Sequence, residues 1–255
     1  MTFDQPTDLP DAVQILAQKD LLPTNLTSDE LRQLDAYLRQ QSLFSAQTTN
    51  EYLLQLYQDK LTGILNPVPA PGEATTQFSP AYVRASIKDF LQSIGYEPPT
   101  PEERGTITDL SSDRRINLVV KTNVEMAQGQ GLWMRNQNPA LLDEWPGQEL
   151  FRAEARKVPR DWVYRFQLAG SQTGDPIGTG WTITPDQRLI ALKNHLIWEY
   201  LGSSKLFPDG LDTSWPPFAF SSGMWVRNVD RQETEAIGLT VPGQIIPPQT
   251  LKQPA

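Results

Sequence analysis

The chain has 255 residues, 38% of them hydrophobic, with 7 Trp, 9 Phe and 7 Tyr, so it can bury a core and is not wholly disordered. It has no Cys and a single His, His195, which excludes disulfides, thiolate metal sites, Cys nucleophiles and any site needing two His ligands from one chain. The net charge of -8 lies entirely in residues 1–110, which hold 15 acids and 7 bases, whereas residues 111–255 hold 15 of each. Phosphate-binding surfaces need Lys and Arg, so the front half predicts no nucleic-acid surface. No apolar run approaches the roughly 20 residues of a membrane span, and Met1–Pro6 lacks the apolar stretch of a secretory signal.

In chain order, Asp11–Lys19 is a short helix candidate closed by Pro23. Thr27 followed by Glu30 is a capping box, predicting an amphipathic helix through Leu31, Leu34 and Leu38. Thr49–Leu65 keeps helical spacing with Leu53, Leu56, Tyr57, Leu61 and Leu65. Residues 67–80 carry Pro67, Pro69 and Pro71 and read as an extended linker. Ser79 and Pro80 open the next helix, whose stripe is Ile87, Phe90, Leu91 and Ile94, with Gly95 as its stop. A Pro-rich joint over 96–105 precedes a long helix that starts at Ser111 or Ser112 and ends at Asn138-Pro139. Gly129 and Gly131 inside it cost about 1 kcal/mol each against Ala, so close packing of another element, or a kink, is expected there.

After Pro146 the pattern shortens. Strands are expected at Glu149–Arg156, Trp181–Thr184, Arg188–Leu192 and Met224–Val229, with helices at Asn194–Leu201 and Asp230–Ile237. The predicted class is α+β: a helical N-terminal half with a long central helix, then a small mixed α/β C-terminal unit, with extended Pro-rich arms. The expected regions are 1–66 (helical), 67–80 (linker), 81–145 (helical, with the long helix), 146–240 (small α+β domain) and 241–255 (tail).

Candidate chemistry is sparse. Asp143, Glu144, Glu149 and Glu154 interleave with Arg152, Arg156, Lys157, Arg160 and Asp161 and read as a surface ion-pair network rather than a glycosidase pair. His195 has no nucleophile elbow to serve and reads as orienting the short helix after it. Gly170–Gly180 is Gly-rich but lacks a P-loop ending, and reads as a hairpin tip. Seven Trp, at 133, 145, 162, 181, 198, 215 and 225, fill a core or anchor contacts. Trp215, Phe218, Phe220 and Trp225 form the candidate protein-contact anchor. No catalytic, cofactor-binding or metal residues are assigned.

Three stretches together resemble the minor head, or head-morphogenesis, proteins of tailed bacteriophages (the phage Mu F type): Asp113–Gly131, with Thr122-Asn123, Ala127 and Gly129; Leu150-Phe151-Arg152 through Pro159-Arg160-Asp161-Trp162; and Asp186-Gln187-Arg188 to His195, then Phe207-Pro208 and Trp215-Pro216-Pro217-Phe218. The likeness covers roughly residues 84–240 and rests on the order of the stretches. Where many members of that family close with a Pro-x-Cys-Arg-Cys-like element, this chain has Ala219–Met224 and no Cys. The resemblance implies a non-enzymatic virion component at the portal vertex, present in several copies in an assembly. Its implied partners are the portal and/or major capsid protein and neck proteins, and it would pass through the host cytoplasm during assembly. The alternatives are a neck or connector ring protein and a virion-associated enzyme domain in 146–240.

Overall fold

The computed structural model describes residues 10–66, 79–98 and 100–250. Most of the expected 67–80 linker and the last five residues of the expected tail lie outside the described residues. The fold is mixed α+β, and the chain divides into two compact units, residues 1–131 and 132–255. The division falls inside the long helix, ahead of the change of pattern after Pro146.

The first unit contains α1 (Pro10–Ala17), β1 (Asp20–Leu21), α2 (Ser28–Arg32), α3 (Ala36–Gln41), β2 (Ser42–Leu43), α4 (Glu51–Leu65), α5 (Pro80–Ser93) and the first part of α6 (Asp113–Asn136). The capping box is formed: Thr27 accepts from the Glu30 amide, and Glu30 accepts from the Thr27 amide at 2.8 Å. The helix it opens is shorter than expected. Asp35 accepts from the amides of Tyr37 and Leu38, a second cap that ends one helix and starts another where a single run through Leu38 was predicted. Asn50 and Ser79 cap α4 and α5, Pro80 fills the first turn of α5, and Gly95 closes it at φ +70. β1 and β2, which no period in the sequence announces, pair in parallel with Asp20 opposite Ser42.

These helices bury one cluster that includes Leu16, Leu53, Tyr57, Leu61, Ile87, Leu91, Ile116 and Ala127. Polar residues tie it together. Gln58 on α4 donates to the carbonyls of Leu16, in the last turn of α1, and Lys19, just past it. Arg115 on α6 is buried and donates to Ser45 Oγ and the Ala46 carbonyl, both at 2.6 Å. Gly131 has the expected close neighbour: a Cβ there would stand 2.9 Å from the backbone nitrogen of Ala12 on α1.

The second unit runs α7 (Pro139–Glu144), β3 (Gly147–Arg152), α8 (Trp162–Gln172), β4 (Trp181–Ile183), β5 (Leu189–Leu192), α9 (Ile197–Gly202), β6 (Met224–Val229) and α10 (Arg231–Ala236). Its four strands form an antiparallel sheet in the order β4-β5-β3-β6, with Glu149 opposite both Ile190 and Arg227, and Leu150 opposite both Leu189 and Val226. Alternation along β3 then divides the sheet into two faces. Leu150, Leu189 and Val226 pack with Phe166, Trp198 and Phe218 in the larger core, whereas Ile190, Leu192 and Val229 pack with Leu142, Leu239 and Ile246.

Two elements differ from expectation. The helix α8, capped by Asp161, was not foreseen, and it takes up Gly170, so the Gly-rich run is a helix-to-strand connection rather than a hairpin tip. The tail contributes to a core through Ile246, and Gln249 accepts from Trp133 Nε1 and bonds through its amide to Gln137. Among the described residues no helix is long and apolar enough to cross a membrane.

Candidate functional site

The four aromatic residues of the expected anchor part company in the fold. The segment Trp215–Phe220 turns inward because Pro216 and Pro217 withhold amide donors and cannot extend the sheet. Trp215 is 2% exposed and meets Trp133 with ring centroids 5.5 Å apart. Phe218 is fully buried and stacks on Trp198 at 5.9 Å, and Trp198 in turn meets Phe166 edge-on. The surface of both residues is therefore spent inside the unit, and they build its core. Phe220 and Trp225 remain half-buried. Trp225 stands on the edge strand β6 opposite Phe151, and Arg227, two residues on, lies over the Phe151 ring at 5.6 Å.

The carboxylates and arginines read from the sequence as one surface network do not form one: Asp143 accepts instead from Arg231 at 2.8 Å, and two other groups form around Glu149 and at the turn 220–223. Glu149 is only 4% exposed, because its place in β3 points it between two neighbouring strands. Arg188 donates to it through Nε and a terminal nitrogen at 2.9 and 2.7 Å, and Arg227 does the same at 3.1 and 2.8 Å. Arg188 also pairs with Glu233 at the start of α10. Hydrogen bonds to Glu233 and Glu149 hold the Arg188 guanidinium above its ordinary value, firmly charged. Glu149 thereby ties β3 to Arg188, at the start of β5, and to β6, and Glu233 joins α10 to the same arginine.

The second group gathers at the turn 220–223. Arg160 pairs with Asp209 at 2.6 Å and donates to the carbonyls of Phe220 and Ser221. Arg165 shares Asp209 and lies over the rings of Trp162 and Phe207. Arg152 reaches the Arg160 carbonyl at 3.4 Å. Arg156 is seated on Gly223, where a Cβ would stand 2.9 Å from its Nε; its terminal nitrogen is 3.1 Å from Glu154, out of line for a hydrogen bond. Sequence reasoning placed Arg152, Arg156 and Arg160 on the surface but missed Asp209 and Arg165, whose contribution depends on chain reversals between residues 165 and 209.

His195 does what its position suggested. Its Nδ1 accepts from the Ile197 amide at 3.2 Å, orienting the first turn of α9 and leaving the proton on Nε2. Nε2 is 3.3 Å from Asp175, too far off line for a good hydrogen bond. Burial lowers the imidazole's pKa against the opposing pull of Asp175, so the ring is neutral at pH 7. Lys193, two residues earlier, is buried with Asn136 as its hydrogen-bond partner at 3.3 Å, and burial brings its pKa down to about 8. No His, Cys, Asp or Glu cluster suited to a metal ion occurs among the described residues. No family model, curated protein or solved structure matches the chain.

Proposed function

We propose that the chain is a structural component of a tailed-bacteriophage virion, a minor head protein associated with the portal vertex that acts by protein–protein binding. The observation that carries this reading is the order of the three resembling stretches along the chain. Residues of the second and third stretches, Leu150, Trp162, Leu189 and Phe218, lie in one buried cluster of the second unit. Its partners would be the portal and/or major capsid protein, with neck proteins as further neighbours, and its residence the virion after assembly in the host cytoplasm. Of the four expected anchor residues, Phe220 and Trp225 are half-buried, and Trp225 stands on the edge strand of the sheet, where it would meet a partner.

Quantitative peptide mass spectrometry of density-purified particles, scaled to the portal subunit, tests this. A fixed ratio from one preparation to the next is the expected result, and its value separates a ring from scattered copies. Absence from mature particles would overturn the reading.

A further inference from the structure

The sheet of the second unit ends on β4 at one side and on β6 at the other, and its two edges differ. β4 has three residues, and its Trp181 carbonyl is taken from outside the sheet by the Gly178 amide at 2.8 Å. β6 has six residues, contains no proline, and pairs among the described residues with β3 alone. Successive residues of a strand aim their backbone groups to opposite sides. The Lys193 amide donates to the Pro146 carbonyl, so Gln148 and Leu150 face β5, and Gly147, Glu149 and Phe151 face β6. Their partners Val229, Arg227 and Trp225 point toward β3, and Met224, Val226 and Asn228 point outward. The Gly223 carbonyl, which accepts from the Ala153 amide at 2.9 Å, agrees with this phase. Met224 gives its amide to Ser222 Oγ at 3.0 Å. The Met224 carbonyl, and both backbone groups of Val226 and of Asn228, have no partner among the described residues.

Prolines and uncompensated charges commonly blunt such an edge, and β6 has neither. Its single charge, Arg227, is held by both oxygens of Glu149 and is thereby neutralised. Helix α10 folds back over β3, where a Cβ at Gly147 would stand 2.7 Å from Thr234. A row of free donors and acceptors is satisfied by an extended strand, and β6 itself has the matching pattern. A two-fold axis perpendicular to the sheet keeps each face on its own side, so residues of the same parity pair. With the axis at Val226, that residue exchanges amide–carbonyl hydrogen bonds with its copy, and each Asn228 amide donates to the Met224 carbonyl opposite. The same register sets Trp225 against the exposed side of Arg227, a cation–π pair made once from each copy. An axis at Arg227 sets the two arginines against each other, and an axis at Trp225 leaves Asn228 opposite Ser222, beyond the strand.

We infer that β6 is a dimerisation strand, which pairs antiparallel with β6 of a second copy about Val226 and joins the two sheets into one. Such an interface is isologous: it uses up the edge and closes at two copies. It does not depend on the virion role, since particle composition tests that role and association in solution tests this one.

Sedimentation velocity of the full chain from about 1 to 200 µM should show a monomer giving way to a dimer, the affinity range of a small interface. Asn228 is exposed and its amide points away from β3, so Asn228→Pro removes a donor from the edge and leaves the ladder and the core in place. That variant should dimerise at least roughly tenfold more weakly, whereas Asn228→Ser, which keeps the amide, should match the unaltered chain. Residue-resolved hydrogen exchange reads the register. The Trp225 and Arg227 amides should exchange slowly at every concentration, and those of Val226 and Asn228 should slow only as the dimer forms. A monomer throughout the range overturns the inference and leaves the edge to a different protein. A dimer that Asn228→Pro leaves unchanged overturns it too, as does fast exchange at Val226 and Asn228 within the dimer. Slow exchange at these two amides in the dilute monomer also overturns it, because another segment of the same chain then covers the edge. Circular dichroism checks folding, and where Asn228→Pro fails to fold the exchange pattern alone decides.

Discussion

Lys19 lies just past the end of α1, buried, with its ammonium 3.5 Å from the Ser42 carbonyl. Burial brings its pKa down from 10.5 to about 8. Because the folded-state value is the lower one, the unfolded chain binds the extra proton between about pH 8 and 10.5, and stability rises with pH across that window. Lys19→Met removes the buried charge. It should raise unfolding free energy by on the order of 3 kcal/mol at pH 7, a gain that shrinks as pH rises from 8 to 10.5 in urea titrations. Gly131 poses the opposite problem. In an exposed helix, Gly→Ala gains about 1 kcal/mol, but a methyl here would collide with the Ala12 backbone at 2.9 Å. Gly131→Ala should therefore destabilise the first unit by about 1–3 kcal/mol, and a rise in melting temperature would refute the contact.

Among the elements, the sheet of the second unit depends most on a single side chain. Glu149→Gln leaves Arg188 and Arg227 facing an amide, and because both arginines reach solvent and Arg188 keeps Glu233 it should cost about 1–3 kcal/mol in denaturant unfolding, whereas Glu154→Gln on the exposed loop should cost less than about 1 kcal/mol. The burial of Glu149 could not be read from the sequence, because its partners sit 39 and 78 residues away. Helices with local signals were legible: the capping box at Thr27, the Ser79-Pro80 start and the Gly95 stop all act within a few residues. Helix α8 was missed although Trp162, Phe166, Ala169 and Gly170 have helical spacing, since its aromatic and β-branched opening resembles a strand. β1 and β2 have two residues each, too few to display a period.

At the scale of the molecule, the sequence divides by charge and composition, while the fold divides after Gly131, part way along a continuous helix. Of the anticipated anchor, Phe220 and Trp225 keep surface while Trp215 and Phe218 went to the core; an aromatic beside prolines reads the same in either setting until the packing is known. The tail is the other feature whose packing the sequence concealed. Pro242, Pro247 and Pro248 suggest an extended arm, yet Ile246 completes the smaller core. Deleting residues 241–255 should lower the melting temperature of the second unit and, on the proposed virion role, weaken incorporation into particles. Ile246→Asp alone should reproduce the thermal loss, at about 2–4 kcal/mol.

The seat of α1 against Gly131 also bears on how the chain is made. Helix α1 leaves the ribosome ahead of α4, whose Gln58 ties down its end. The residue on which Ala12 finally rests is synthesised almost half a chain length later. Until then one flank of an early helix waits uncovered, and a contact so distant in sequence closes slowly. The first unit thus cannot mature during synthesis of its own first hundred residues, and pulse-labelled nascent chains should gain protease resistance only after the far part of α6 has emerged.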